Sequence, residues 1–592
     1  MLNFKNKLID LGKLTEKLIK RNICIKKKDL VEGVNNFDEL IVFKKSNTIV
    51  AYDRICNHAG GKLITKGKNY VCPIHNWEFN PAKGTYFNKF KKPPLLVEDL
   101  KSHVKVWFEE KKPIIQKKNK YDKHLNIRFF NHAFLIVSNS DFSFATDPWA
   151  FGPSFINGWW LKNNTKNDWV KKLNDCDFVY ISHNHPDHLN EYTLNFLEKK
   201  KPILVPNFVD RSTEIKLKNL GFKNVIPINF NKVINFKNSN LNFTILKSGD
   251  FRNDSGIYFS VGNTTSLFDV DANSINFFNL PEVDIYASSY AGGAAGYPLI
   301  FENYTDLQKK KIMKNAGNFF FLKKIQNLKK LKAKYFLPYA SSAVSKLKID
   351  RYIKKSNLKI SVDRYKKFLS KTCEVMDVEL KDSIDFFNGK LTQRKKISKK
   401  PFKSISDNKI LSLFKKDFSN INKKEIEKYF YDSKFKDQLV LFLSLTNDKF
   451  DQNYFNLCVN FCDSKISVSF FENKKFNIKK HLPKYIDKKV IYIKARKEAF
   501  NYIVKTKSSW EDLGIGFQIR VYRYPNKYNF EFAEHFQYKY LNPENKKTTG
   551  ECSICTSLNH LIDEQITRDV SVSKKKDVSF SKKRESAPIY VS

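Results

Sequence analysis

The first 115 residues alternate short apolar runs with polar turns. The runs are rich in β-branched and aromatic side chains, and the turns are rich in Gly, Pro and Asn. This pattern is typical of short strands, so residues 1–115 are predicted to form a small all-β domain, with a Lys-rich linker at 111–120. The predicted strands are residues 39–43, 48–52, 70–71 and 104–108.

Residues 121–350 follow a different pattern, in which apolar runs of strand length alternate with longer helix-like segments. The longer segments, 193–200 and 306–332, are predicted helices, and the alternation indicates an α/β domain. The predicted strands are residues 133–138, 178–182, 203–205, 244–246, 257–261, 266–270 and 285–288.

The rest of the chain divides near residue 545. Residues 351–545 are predicted to form a third, mixed α/β domain, and the polar, charged residues 546–592 a disordered tail. A chain of 592 residues is too long for one hydrophobic core. Its 41% apolar and 15% aromatic residues exclude wholesale disorder.

Several features predict a protein of a reducing cytoplasm. No run approaches the roughly 18 apolar residues of a membrane-spanning helix, and residues 1–21 lack the apolar core of a signal peptide. Nine cysteines are too few and too scattered for a disulfide framework, so free thiols and one or two metal sites are expected. Cys552 and Cys555, with His560 nearby, could bind zinc, but a single Cys-x-x-Cys pair is a weak signal and no metal is the favoured interpretation.

The net charge, 106 − 61 = +45, is less informative than its size suggests. The excess consists mostly of Lys, with 13 Arg against 93 Lys, and no recognition-helix or zinc-finger pattern occurs. We therefore predict no nucleic-acid partner. The positive charge would still attract an anionic small substrate.

Two Cys–His pairs provide the first candidate chemistry. Cys56 and His58 are followed, after thirteen residues, by Cys72 and His75. A structural zinc site usually groups its Cys and its His separately. A Rieske [2Fe–2S] cluster instead needs two thiolates on one iron and two imidazoles on the other. The mixed pairs therefore predict a Rieske cluster held by these four residues.

A second group of metal-binding side chains follows the predicted strand at 178–182. His183, His185, Asp187 and His188 stand within six residues. They are hard to accommodate as core residues, because buried imidazoles need polar partners. In an extended loop His183 and His185 face the same way and can share a metal ion.

This string resembles the metallo-β-lactamase superfamily. Asn-His-Ala at 131–133 and Thr-Asp-Pro at 146–148 resemble the first hairpin of that fold. The resemblance implies an αββα domain over residues 121–350. It also implies a bridging carboxylate after the strand at 266–270, with Asp271 as the candidate and Asp269 as the alternative.

The ligand set of a dinuclear hydrolase is incomplete in this chain. Two more His are expected, one before the bridging carboxylate and one near the domain end, but the next His after His188 is His481. Asp250, Arg252 or Asp254 stands where the first is expected. Two or three His with one carboxylate suit a mononuclear non-haem iron, and zinc is the alternative metal.

The two sites together indicate a monooxygenase. A Rieske cluster delivers single electrons, and a two-His-one-carboxylate iron needs two of them to insert one oxygen atom from O₂. The order of domains resembles the family of CMP-N-acetylneuraminic acid hydroxylases. The other segments that resemble this family are Thr-Asp-Pro-Trp at 146–149, Gly-Pro-Ser-Phe at 152–155, Gly-Trp-Trp-Leu at 158–161, the Gly-rich loop at 291–298, Trp-Glu-Asp-Leu at 510–513 and Ile-Gly-Phe-Gln at 515–518.

The resemblance implies hydroxylation of the N-acetyl group of a CMP-activated sialic acid, from CMP-Neu5Ac to CMP-Neu5Gc, or of a related nucleotide sugar. It implies O₂ as the oxidant and NADH as the indirect reductant. A cytochrome b5-like protein, a ferredoxin or a flavodoxin, with its reductase, would carry the electrons. The implied site residues are Cys56, His58, Cys72 and His75 for the cluster, and His183, His185, Asp187, His188 and Asp271 for the second metal and catalysis.

Two other functions stay open at this point. One is an electron-transfer protein whose metallo-β-lactamase-like domain has lost its metal and only binds a partner, as the missing His residues would allow. The other is a metal-dependent hydrolase gated by the cluster.

Some segments have two interpretations each. The loop at 291–296 allows close approach of a phosphate or tight packing on the sheet. Trp149, Trp159 and Trp160 suit stacking on a cytosine or a place in the core, which we favour. The arginines that could clamp an anion, although surface charge is the favoured interpretation, are Arg252, Arg520 and Arg523.

Overall fold

The computed structural model describes residues 4–11, 16–57, 62–66, 69–72, 77–87, 89–113, 121–208, 211–248, 253–273, 275, 282–292, 296–341, 343–356, 359–378, 382–397, 400–403, 405–472, 476–485 and 487–536. Of the predicted residues, His58, His75, Asp250 and Arg252, and the tail with Cys552 and Cys555, lie outside these ranges.

Strand β1 (Leu8–Asp10) joins the central unit, and the strands that follow it build an all-β amino-terminal unit. These are β2 (Glu16–Lys26), β3 (Gly33–Asn36), β4 (Leu40–Lys45), β5 (Thr48–Asp53), β6 (Ile64–Lys66), β7 (Asn69–Val71), β8 (Glu78–Asn80), β9 (Thr85–Tyr86), β10 (Leu96–Asp99) and β11 (His103–Pro113). They form three antiparallel sheets, ordered β10-β11-β2, β3-β4-β5 and β6-β7-β8-β9. The all-β prediction is confirmed.

Strand β4 separates two small cores in this unit. Leu40 and Val42 contact one core and Ile41 the other, as the period of two along a strand requires. The core on the side of Ile41 includes Cys56 and Cys72. The predicted cluster thiolates are therefore anchored in packed structure.

The central unit consists of two eight-stranded sheets. Its strands are β12 (His124–Asn131), β13 (Phe134–Ser138), β14 (Ser143–Thr146), β15 (Trp160–Leu161), β16 (Phe178–Tyr180), β17 (Ile203–Pro206), β18 (Val225–Ile228), β19 (Ile234–Phe236), β20 (Leu241–Lys247), β21 (Ser255–Val261), β22 (Thr264–Val270), β23 (Ile285–Ser289), β24 (Tyr335–Tyr339), β25 (Ala343–Val344), β26 (Glu374–Val375), β27 (Asp382–Phe387) and β28 (Lys390–Lys396). One sheet has the order β1-β19-β20-β21-β22-β23-β24-β26, and the other β18-β17-β16-β14-β13-β12-β27-β28. Strands β15 and β25 pair separately.

The sheets pack face to face with helices on both outer faces. The rings of Phe144 and Phe259, from opposite sheets, lie 5.5 Å apart in the shared core. The helices of this unit are α1 (Trp169–Asp175), α2 (Glu191–Leu194), α3 (Ser212–Asn219), α4 (Asp306–Leu331), α5 (Arg351–Ser356) and α6 (Val362–Leu369). Helices α1 to α3 contribute to the core outside one sheet, and α4 and α6 to the core outside the other. The predicted αββα architecture is thus confirmed.

The central unit differs from the prediction in two details. The predicted domain end at residue 350 falls inside this unit, because strands β26, β27 and β28, which follow it in the chain, still pair within the two sheets. Of the predicted helix at 193–200, only the start is helical, since α2 ends at Leu194. Helix α4 agrees with the predicted 306–332, because a capping box of Thr305 and Gln308 fixes its first turn.

The carboxyl-terminal unit is a five-stranded mixed sheet with helices. Its elements are α7 (Asp407–Phe418), α8 (Lys423–Ser433), β29 (Leu439–Thr446), β30 (Asn453–Asn460), β31 (Ser467–Phe471), β32 (Lys489–Arg496), α9 (Lys497–Thr506), α10 (Glu511–Ile515), β33 (Ile519–Tyr524) and α11 (Phe530–Glu534). The strand order is β31-β30-β29-β32-β33, with β29 and β32 parallel. The prediction of a mixed α/β region is confirmed.

Different kinds of contact join the three units. Trp149, Phe155 and Trp159 of the central unit belong to the same hydrophobic core as Trp510 and Phe517 of the carboxyl-terminal unit. An ion pair of 2.5 Å between Asp38 and Lys330 joins the amino-terminal unit to the central unit. In the described part of the chain, no helix has the length and hydropathy needed to cross a membrane.

Candidate metal centre

The loop that follows β16 carries the predicted His and Asp residues. Strand β16 lies between β14 and β17, and all its residues are buried. Beyond it, the backbone N–H groups of His188 and Leu189 donate to the carbonyl of His185 at 3.0 and 2.8 Å. This turn brings side chains from six consecutive residues to one end of the sheet.

Two neighbouring groups of side chains have the spacing of metal ligands, since within each group the ligand atoms lie within 4.8 Å of one another. His188 Nε2 links the groups, because it lies 3.5 Å from a carboxylate of each. The structure thus brings together all five residues predicted for the second site and adds His132. The groups are His183, His185 and Asp271, and His132, Asp187 and His188.

The geometry of these side chains fits a divalent metal ion. His183 Nε2 and His185 Nδ1 lie 2.9 Å apart, and two ligands at right angles on one ion, with bonds of about 2.1 Å, lie about 3 Å apart. Asp187 Oδ1 and His188 Nε2 are buried and have no hydrogen-bond partner within the described residues. A bound cation would satisfy both atoms, which would otherwise destabilise the fold.

The second ring nitrogen of each loop His is held by a polar group. His188 Nδ1 lies 3.1 Å from Asp147 Oδ2. His183 Nδ1 lies 2.9 Å from Ser182 Oγ, whose hydroxyl donates to the same carboxylate at 2.7 Å. Contacts of this kind fix the tautomer and the orientation of metal-binding imidazoles.

The buried charges shift one another's pKa. Burial opposes protonation of His185, but Glu511 and Asp254 outweigh it and raise the pKa of His185 to about 9. Burial also opposes ionisation of Asp187, yet His188 holds the pKa of this carboxyl below its usual value. Such a network can exchange its protons for a metal cation.

The structure places Asp271, and not Asp269, beside the His residues. The pairing of β22 with β23 is irregular between Phe268 and Val270, and Val270 has a φ of 50°. Asp271 then lies 3.5 Å from His188 Nε2. Asp269 instead accepts a hydrogen bond from Tyr286 and faces Lys324 Nζ at 3.6 Å.

The Asp254 carboxylate lies near the position where a His before the bridging carboxylate was expected. Asp254 is buried, and its Oδ1 lies 3.9 Å from His183 Nε2. Of the three residues considered for this position, Asp254 is the one that the structure describes. It adds a further negative charge to the group of His183, His185 and Asp271.

Sequence reasoning did not identify His132, Asp147 and Glu511 as site residues. His132 Nε2 lies 3.2 Å from Asp187 Oδ2, and Glu511 Oε2 lies 3.1 Å from His185 Nε2. His132 and Asp147 stand in the two motifs that resemble the first hairpin of the metallo-β-lactamase fold. This resemblance was the sequence signal that could have identified them as site residues. Glu511 stands in the segment 510–513 that resembles the hydroxylase family, but nothing in that segment relates it to His185, which is 326 residues away.

The predicted cluster site is described for its two cysteines. Cys56 and Cys72 are buried, free of disulfide bonds and part of one core with Trp77, Phe79 and Tyr86. The thiolate is the form that ligates iron, and burial in this core excludes water from both sulfurs. His58 and His75 lie outside the described residues.

The Trp residues, the Gly-rich loop and the arginines with two possible roles all make packing contacts or hydrogen bonds within the protein. Trp149 and Trp159 are core residues, as favoured. At Gly296 the loop packs against the carboxyl-terminal unit, because a Cβ there would lie 2.7 Å from the carbonyl oxygen of Gly514. Arg520 is not a surface charge, since it pairs with the buried Asp350 at 2.9 Å. Arg523 is also engaged within the protein, by Asn303, Tyr304 and Asn526.

The chain is similar to a family model and to several known proteins. The family model described as the Rieske [2Fe–2S] domain matches residues 21–98. Among solved structures, the diiron β-hydroxylase CmlA from Streptomyces venezuelae is 16% identical over 46% of this chain and 55% of that chain, with a TM-score of 0.29. The metallo hydrolase Igni18 from Ignicoccus hospitalis is 13% identical over 44% of this chain and 98% of that chain, with a TM-score of 0.30. Likenesses this weak carry no argument about fold or function.

The chain thus has an amino-terminal unit that matches the Rieske [2Fe–2S] domain and a central unit of αββα architecture. It is a homologue of the proteins named cytidine monophosphate-N-acetylneuraminic acid hydroxylase, and the predicted resemblance is confirmed. The protein of that name from Macaca mulatta is 27% identical over 572 residues, which cover 88% of this chain and 94% of the relative. The one from Cricetulus griseus is 28% identical over 558 residues, or 86% of this chain and 96% of the relative.

Proposed function

We propose that this protein is a Rieske-type monooxygenase that hydroxylates the N-acetyl group of a CMP-activated sialic acid, or of a closely related nucleotide sugar. The observation that carries the proposal is the similarity to proteins named as such hydroxylases over 88% of the chain. That similarity spans all three units, so it includes the Rieske domain and the buried His–Asp groups.

The residues divide into two redox sites. Cys56, His58, Cys72 and His75 would hold the [2Fe–2S] cluster, which passes on one electron at a time. His183, His185 and Asp271 would hold a non-haem iron, which supplies the activation of O₂ when bound. Asp187, His188 and His132 line the adjoining position.

The protein's own groups then perform supporting steps. The Asp147 carboxylate holds a proton on His188 Nδ1, so that Nε2 remains free to ligate. The buried ring of Trp149 excludes water behind His132, with the ring centres 5.0 Å apart.

The partners follow from this chemistry. The net charge of +45 would attract an anionic nucleotide sugar. NADH would supply electrons through a cytochrome b5-like protein, a ferredoxin or a flavodoxin, with its reductase. The described cysteines form no disulfide bonds, which suits a cytoplasmic location.

A single turnover tests the proposal. The iron-loaded protein is reduced and mixed with CMP-N-acetylneuraminic acid and ¹⁸O₂, and we expect one labelled oxygen atom in the sugar by mass spectrometry. Reoxidation of the cluster without labelled sugar would favour the electron-transfer alternative. Turnover without O₂ would favour the hydrolase.

Iron analysis of the same sample determines the number of metal ions in the second site. With two irons in the cluster, a mononuclear site predicts about three irons per chain, and occupation of both His–Asp groups predicts about four. A protein with only the cluster irons would contradict the proposed second site.

A further inference from the structure

We propose that Glu511 of the carboxyl-terminal unit is a positioning residue for the metal ligand His185, so that this unit completes the centre built by the central unit. The inference rests on the metal site of the proposed function and does not depend on the substrate. It assigns a role to a part of the chain whose sequence alone indicates none.

The two ring nitrogens of His185 face different partners. Nδ1 lies 2.9 Å from His183 Nε2, on the side of the metal-binding atoms. Nε2 lies 3.1 Å from Glu511 Oε2, on the opposite side of the ring. An Nε2–H group that donates to Glu511 leaves Nδ1 as the free lone pair. Glu511 therefore selects the tautomer that binds the metal.

The same arrangement recurs at the other loop imidazoles, but with partners from the central unit. Asp147 holds His188 directly and holds His183 through Ser182. His185 is the member of the set whose partner belongs to another unit. Without Glu511, its ring would lose the described carboxylate that fixes its orientation.

Helix α10 holds Glu511 rigidly, because its flanking residue is anchored in the shared core. Trp510 is 7% exposed, and its Nε1–H donates to Tyr429 Oη at 2.8 Å. Its ring packs on Phe500, Phe532 and Phe536, with ring centres 5.0 to 5.9 Å apart. The packing of Trp510 therefore fixes the backbone position of Glu511 beside His185.

Glycines bring α10 against the central unit at backbone distance. A Cβ at Gly158 would lie 2.1 Å from the carbonyl oxygen of Gly516, and one at Gly516 would lie 2.1 Å from that of Phe155. Only glycine permits such an approach. Close contact of this kind sets the distance between α10 and the loop of His185.

Hydrogen bonds across the junction fix the register of the two units. Trp159 Nε1–H donates to the carbonyl of Ile515 at 2.9 Å, and Gln518 Nε2–H donates to that of Ile156 at 2.8 Å. The segments that resemble the hydroxylase family at 152–161 and 510–518 are therefore the two sides of one junction. Its result is the contact between Glu511 and His185.

Metal affinity tests the inference without any turnover. The full chain with its cluster is titrated with Co²⁺ against a chelator, and the visible spectrum of bound Co²⁺ reports the ligand geometry. The variant E511Q keeps the size of the side chain and removes its charge. We expect E511Q to bind Co²⁺ 10- to 100-fold more weakly with an altered spectrum, and E511D to recover part of the loss.

The matched control is E302Q. Glu302 lies at the same junction and pairs with Lys494 of the carboxyl-terminal unit at 2.7 Å, but it belongs to neither metal-binding group. The E302Q variant should bind Co²⁺ with the affinity and the spectrum of the wild-type protein. Equal affinity and equal spectra for E511Q and the unchanged protein would overturn the inference, as would an equal loss in E302Q.

The outcome separates this inference from the proposed function. An unchanged protein that binds Co²⁺ tightly but does not hydroxylate the nucleotide sugar contradicts the proposed substrate and leaves the role of Glu511 intact. A chain that binds no Co²⁺ at all overturns both. Thermal unfolding of each variant shows whether a loss of affinity accompanies a loss of fold.

Discussion

Asp147 is the residue on which much of the proposed metal centre depends. Its carboxylate accepts hydrogen bonds from the N–H and O–H groups of Ser182, both at 2.7 Å, and contacts His188 Nδ1. The residue is fully buried, with a left-handed φ of 39°. It thus orients two imidazoles without being placed to ligate a metal itself.

Replacement of Asp147 by Asn should weaken metal binding while every member of the two His–Asp groups stays in place. We expect a 10- to 100-fold loss of affinity, because the amide cannot hold the imidazoles as a carboxylate does. Competition with a chelator measures it. The control is D175N, at a half-exposed position on α1. Unchanged affinity in D147N would contradict the role given to this carboxylate.

The two aspartates around Val270 should behave oppositely. D271N removes a metal-facing carboxylate and should lower the metal content of the purified protein. D269N leaves Lys324, itself buried, without its anion, which should cost about 3–5 kcal/mol of unfolding free energy. Metal analysis and denaturant unfolding separate the two effects. Loss of metal in D269N with normal content in D271N would reverse the assignment.

At the scale of elements, the close backbone contacts of Gly158 and Gly516 determine how helix α10 packs on the central unit. The carbonyl oxygen of Gly516 occupies the place of a side chain at Gly158. Gly514, two residues earlier in the chain, has open space, since a Cβ there would meet only Ile300 at 3.9 Å. The two positions therefore offer a matched comparison.

The variant G158A should separate α10 from the central unit. We expect a loss of about 1–3 kcal/mol in unfolding free energy from overpacking, together with weaker metal binding, because Glu511 moves away from His185. G514A should leave both quantities unchanged. Denaturant unfolding and chelator competition measure them. Equal stability of G158A and G514A would show that the junction is loose.

Several elements show how much of the secondary structure the local sequence pattern predicts. Strands at 203–205 and 257–261 and the long helix at 306–332 are predictable, because apolar periodicity and a capping residue act over a few positions. Helix α2 stops at Leu194 although the pattern continues to 200. The His-rich loop is recognisable for a similar reason, since its donors lie within six residues.

At the scale of the whole molecule, the three units are coupled unequally. The central and carboxyl-terminal units share one core, which includes Trp159 and Trp510. Strand β1 pairs with β19 and so ties the start of the chain to the central unit. Between the bodies of the amino-terminal and central units, the Asp38–Lys330 ion pair involves a half-exposed carboxylate, which contributes at most about 1 kcal/mol.

Unequal coupling predicts two unfolding transitions. The central and carboxyl-terminal units should unfold together, because separating them would expose their common core. The amino-terminal unit should unfold separately, with loss of the cluster absorbance. Calorimetry and visible absorbance followed on one sample test this expectation. A single transition by both probes would contradict it.

By itself the sequence determines which residues are the candidates for the chemistry of this protein. The mixed Cys–His pairs indicate a Rieske cluster, and the string from His183 to His188 indicates a metal centre. In both cases the necessary residues are close in sequence, and a loop at the end of a strand can present them together.

Only the tertiary structure decides how the proposed metal centre is completed. His132, Asp147 and Glu511 come from a hairpin turn, a strand end and a distant helix. Their approach depends on the stacking of two sheets and on glycine contacts between units. The chain sets these distances through packing over hundreds of residues, and local periodicity carries no information about that packing.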